Sequence, residues 1–78
     1  MTKLRKLRKD RGLTAQELAD KSGVTYRNIL HYELGDRKID GAKLDTLISI
    51  AMALNVDIRD ILESNLLIAK LTMLLDDI

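Results

Sequence analysis

Residues 14–35 read TAQELADKSGVTYRNILHYELG, and they describe two short helices joined at a corner. Thr14 followed three residues later by Glu17 is a capping box: the hydroxyl caps the amide three residues on while the carboxylate reaches back. Leu18 and Ala19 continue that helix until Ser22-Gly23 breaks it. Thr25 is the next N-cap candidate, and Gly35 the next stop.

The second helix has two unlike sides. With an offset of about 100° per residue, Ile29 and Tyr32 share one side, with Val24 packing at the entry. The other side displays Tyr26, Arg27, Leu30, His31 and Leu34. One face is fit to dock on a domain while the other is held outward. A capped helix, a short glycine-containing turn and a second helix with exposed N-terminal residues is the layout of a helix-turn-helix unit. A helix so held fits the width of the DNA major groove.

The flanking sequence continues in helices. Leu4 and Leu7 fall on one face of a first helix, with Lys3, Arg5, Lys6 and Lys9 around the others and Gly12 just past its end. After Gly35, residues 36–41 (DRKIDG) read as a polar connection. Leu44, Leu47, Ile48, Ala51 and Leu54 then predict an amphipathic helix ended by Asn55. Asp57 caps a fifth, whose inner face is Ile58, Ile61 and Leu62. No segment alternates as a strand does, so the fold class is all-α.

Seventy-eight residues make one small domain. With no Cys, Phe or Trp, there is no disulfide framework or cysteine metal site, and the core is aliphatic. The N-terminus MTKLRKLRKD carries no apolar run after its charges, and the apolar stretch 66–78 is too short to span a bilayer; a soluble, cytoplasmic protein is expected. One His, no Cys, no paired carboxylates and no glycine-rich phosphate loop argue against an enzyme, a cofactor or a metal. The net charge of +1 is unevenly spread: residues 1–38 hold ten Lys/Arg against five Asp/Glu, and residues 39–78 hold three against seven. A basic half suggests an anionic partner, with double-stranded DNA the obvious candidate; the alternative is a set of solvated helix faces.

LRKLRKDRGLTAQELADKSGVTYRNILHYELG (residues 4–35) and LDTLISIAMALNVDIRDIL (residues 44–62) together resemble the Cro/phage-repressor type (XRE-like) helix-turn-helix family. The resemblance implies a five-helix repressor-like domain over residues 1–63 that binds operator DNA as a homodimer and regulates transcription, most often as a repressor. By position, its base-reading residues fall on Tyr26, Arg27 and His31, with Asn28 near the backbone or a base edge and Thr25 approaching a phosphate. Arg37 and Lys38 suit phosphate contacts that position without specifying. The family's ion pair between helices one and three falls on Arg8 and Glu33.

Three features depart from that pattern. Ala15 stands where many members carry a phosphate-touching glutamine; Gln16, about 100° further round, is the remaining candidate. Leu30 and Leu34, with Tyr26, form an apolar ridge where polar groups are usual. Ile39-Asp40-Gly41 lengthens the loop beside the expected dimer interface. The ridge supports an alternative reading, a protein-interaction module or antitoxin-type regulator with a protein partner on that surface.

Residues 64–78 add a C-terminal helix that Ser64 can cap. Nine of the 13 residues from Leu66 to Ile78 are apolar, too many for a solvated helix. Leu67, Leu71, Leu74, Leu75 and Ile78 form one stripe, and Leu66, Ala69 and Met73 a second. The tail either packs on its own domain or dimerises. Dimerisation is the reading adopted, because a domain this small has its core without the tail.

Overall fold

A computed structural model describes residues 1–76. Five helices follow one another: α1 (Lys3–Asp10), α2 (Ala15–Ser22), α3 (Tyr26–Leu34), α4 (Leu44–Leu54) and α5 (Asn65–Asp76). Single 3-10 turns sit at Ile39–Gly41 and Ile58–Asp60. Among the described residues there is no strand, and the fold is all-α.

The helix ends follow from local chemistry. The Thr14 hydroxyl accepts from the Glu17 amide at 3.1 Å, and the Glu17 carboxylate accepts from the Thr14 amide at 2.9 Å. Those bonds, that of the Thr14 amide first, hold the Glu17 carboxyl below its ordinary range. Gly23 closes α2 at φ 74°, a left-handed conformation that a side chain would strain. Only Val24 and the cap Thr25 separate it from α3, so the two helices are forced into a tight corner. Asn55 takes the same left-handed role at the end of α4, with φ 56°.

Leu4, Leu18, Ile29, Ile50, Leu54, Ile61 and Leu62 are fully buried, joining α1–α4 and the segment after Asp60 in one core. The buried face of α4 is Leu47, Ile50, Ala51 and Leu54. Leu44 and Ile48, placed inside by periodicity, are instead 65% and 40% exposed. The reason is compositional: LDTLISIAMAL is apolar nearly all round, so packing against α2, not period, selects the inner face. Leu44, Ile48 and Met52 are left as an apolar stripe on the outward flank.

The helix anticipated after Asp57 is one 3-10 turn. Asp57 accepts from the Arg59 amide and Asp60 from the Asp57 amide, closing a short reciprocal box. The amides of Glu63 and Ser64 then donate to the Asp40 carboxylate at 2.8 and 3.0 Å. With those amides taken by a distant acceptor, a helix cannot propagate through 61–64. The loop 36–41 is likewise more than a polar connection. Ile39 is buried, and Asp40 anchors the approach to α5.

Ser64 caps α5, its hydroxyl accepting from the Leu67 amide at 3.2 Å. Leu67, Ile68 and Leu71 pack half-buried on the domain core. Arg59 fastens the far end, donating to Asp57, to the Thr72 hydroxyl at 3.2 Å and to Asp76 at 3.0 Å. Of the stripe assigned to dimerisation, Leu67 and Leu71 thus face the chain's own core, because they lie within about 40° of each other on the flank that Arg59 and Ser64 turn inward. Leu74 and Leu75 remain exposed, and Ile78 lies outside the described residues.

Candidate nucleic-acid interface

α3 is held from behind by two devices. Ile29 and Tyr32 enter the core. Glu33, also buried, is gripped by Arg8 through Nε–Oε2 at 2.7 Å and Nη2–Oε1 at 2.9 Å. The third guanidinium nitrogen donates to the Leu13 carbonyl at 2.7 Å, so Arg8 ties α1 both to α3 and to the turn before α2. Glu33 hydrogen bonding raises the Arg8 pKa above its ordinary value, against the opposing effect of burial. The Thr2 hydroxyl adds a bond to the Glu33 carbonyl at 2.9 Å, so α1 clasps the end of α3 twice.

The other face is open. Tyr26 is 45% exposed, Arg27 is exposed, and Asn28 and His31 are half-buried. The apolar ridge is broken in the middle: Leu34 is 69% exposed, while Leu30 is half-buried. Thr25 accepts from the Asn28 amide at 3.2 Å, which leaves its hydroxyl hydrogen free to donate elsewhere. Gln16, exposed at the start of α2, donates to Asp20 at 2.9 Å. Ala15 is half-buried against the core.

The turn after α3 folds back on the open face. The amides of Gly35 and Arg37 both donate to the His31 carbonyl, at 3.1 and 3.3 Å. This brings Asp36 within 3.0 and 3.1 Å of His31 Nδ1 through its two oxygens. It also places Arg37 Nη1 3.0 Å from Asn28 Oδ1. Lys38 is exposed beside them. Arg27 on α3 and Arg37 and Lys38 in the turn after it are all exposed basic groups.

Sequence reasoning passed over Asp36 because its approach to His31 depends on the turn geometry, not on helical spacing. It also passed over Arg59 and Asp40, whose bonds cross 17 and 24 residues of chain; no local periodicity signals such contacts. Among the described residues, no group of three or more His, Cys, Asp and Glu is placed to hold a metal ion, and no helix is long and apolar enough to cross a membrane.

A corner of two short helices, the second bolted down on one side and open on the other, defines a helix-turn-helix domain. The helix-turn-helix family model matches residues 4–61, and the chain belongs to that family, of the XRE type. It is similar to the uncharacterized HTH-type transcriptional regulator YqaE of Bacillus subtilis (strain 168), 44% identical over 64 residues. The match takes in 80% of this chain and 53% of that protein, so the chain spans about half the length of this curated relative. No solved structure matches the chain.

Proposed function

We propose that the chain is a DNA-binding transcriptional regulator that reads a palindromic operator as a homodimer and represses by occupying it. The observation that carries this reading is α3 itself: Tyr26, Arg27 and His31 are held out while Ile29, Tyr32 and the Arg8–Glu33 pair fix the helix from the opposite side. Membership of the helix-turn-helix family and the likeness to a regulator so named support it. Arg27 donates two bonds to guanine O6 and N7, an arrangement worth about 1–3 kcal/mol of discrimination. His31 and Tyr26 meet neighbouring bases. Thr25, Asn28, Arg37, Lys38 and Gln16 contact phosphates and set the register.

The homodimer forms through the outward apolar flank of α4, Leu44, Ile48 and Met52, together with Leu74 and Leu75 of α5. A groove lined by Ile48, Ala51, Met52, Val56, Ile58 and Leu75, with Asp57 on its wall, gives that surface relief for a second copy. Two such subunits place two reading helices about 34–36 Å apart, one turn of duplex. A second reading, a protein partner docked on Leu34 and Tyr26, is favoured by the 69% exposure of Leu34 at the end of α3.

Selection of bound sites from random duplex DNA tests the proposal. Enrichment of an inverted repeat with half-sites one turn apart is the expected result. Enrichment of nothing would favour the protein-partner reading.

A further inference from the structure

The Asp36 carboxylate lies against one ring nitrogen of His31, a side chain on the open face of α3, and hydrogen-bond chemistry decides what that implies. A carboxylate only accepts hydrogen bonds. At 3.0 and 3.1 Å from its two oxygens, Nδ1 of His31 must therefore carry its proton in the neutral ring. The other nitrogen, Nε2, is then left as an acceptor. A free histidine exchanges between the two N–H forms, but this one is held in one of them by a residue outside the helix. The backbone of the turn makes the arrangement durable, because the amides of Gly35 and Arg37 both close on the His31 carbonyl and hold Asp36 beneath the ring.

The polarity of Nε2 selects among bases. In the major groove, hydrogen-bond donors are found only on adenine N6 and cytosine N4; guanine and thymine offer acceptors. We propose that Asp36 is a specificity-positioning residue: by fixing the N–H on Nδ1, it makes His31 read an exocyclic amino group, favouring A or C over G or T at the contacted nucleotide. This rests on α3 being the DNA-reading helix. The same turn sets a second polarity. Arg37 donates and never accepts, so the Asn28 atom facing it is the amide oxygen. Asn28 is left with both amino hydrogens for an acceptor such as a phosphate, while its oxygen already takes one bond from Arg37.

Asp36→Ala tests the inference, because it removes the acceptor and frees the ring proton to exchange onto Nε2. The Asp36 side chain is 58% exposed, so the substitution leaves the fold intact, as circular dichroism will register. Two readouts are taken. Nitrogen NMR of the free protein should show Nδ1–H in the wild type and exchange onto Nε2 in Asp36→Ala. Selection from random duplex DNA should show A or C at one position of each half-site for the wild type. For Asp36→Ala that preference should fall by about tenfold, the size of one good hydrogen bond. Undiminished enrichment of the same base by the variant, or Nε2–H in the wild type, overturns the inference while leaving α3 as the reader. A wild type that enriches no duplex overturns both.

Discussion

Arg8 and Glu33 meet by two parallel hydrogen bonds, 2.7 and 2.9 Å long, with side chains only 12% and 4% exposed. The pair joins the first helix to the third where solvent hardly reaches. Its value lies less in attraction than in mutual need: each ion has lost its water and has the other in exchange.

Removing one partner should therefore cost far more than an exposed ion pair is worth. Glu33→Ala is expected to lose about 3–5 kcal/mol of unfolding free energy in urea, and Glu33→Gln less, because the amide oxygen still accepts from Arg8. A loss in Glu33→Ala below about 1 kcal/mol, the range of surface pairs, would mean that Arg8 regains water freely. Such a result would remove the pair as the bolt behind α3.

Arg27 and Lys38 should behave differently on DNA. Arg27→Ala is expected to relax discrimination at one base pair by about 1–3 kcal/mol while binding of unrelated sequence changes little. Lys38→Ala should weaken all sequences alike and make the slope of log K against log salt shallower by about 0.9. Titrations of operator and scrambled duplex at several salt concentrations separate the two. Unchanged operator binding by Arg27→Ala would sink its assignment as a base reader.

What could be read from the sequence, and what could not, divides by range. The capping box at Thr14, the stop at Gly23 and the cap at Thr25 act within three or four residues, so the corner and the buried face of α3 were legible. The inner face of α4 was not, because Leu44 and Ile48 are as apolar as Ile50 and only neighbouring helices choose between them. The 3-10 turn after Asp57 was hidden for a related reason. Asp40, 23 residues earlier, takes the Glu63 amide that a helix would have used. His31 was legible as an outward residue, but its partner Asp36 was not, since the turn that joins them is set by backbone bonds to the His31 carbonyl.

Asp57 makes stability depend on acid. Its carboxyl titrates at about 2, pulled below the usual 3.8 chiefly by the Arg59 side chain, whose own pKa is raised in return by Asp57 first and Asp76 second. A depressed carboxyl stabilises the fold above its unfolded value, and that contribution is lost as pH falls from about 4 through about 2. Denaturant unfolding from pH 5 to 2 should show a decline that Asp57→Asn flattens. The same substitution should loosen the last turn of α5, where Arg59 also holds Thr72 and Asp76. An undiminished acid slope in Asp57→Asn would assign that decline to other carboxylates.

The proposed dimer is best tested by point charges and not by cutting the tail away. A chain ending at Leu62 would uncover the core flank on which Leu67, Ile68 and Leu71 rest, so a change in its assembly would mix folding with association. Met52 is 75% exposed and Leu74 66% exposed, so a carboxylate at either is hydrated in the single subunit and costs its stability little. In a dimer joined across this flank the same carboxylate is buried without a partner, which is prohibitive. Sedimentation should therefore give a dimer for the wild type and a monomer for Met52→Glu and Leu74→Glu, each with unaltered helicity. The operator affinity of both variants should fall, because two half-sites are no longer read together. Dimers persisting in both variants would move the interface off α4 and α5, and a monomeric wild type would leave each half-site to be read alone.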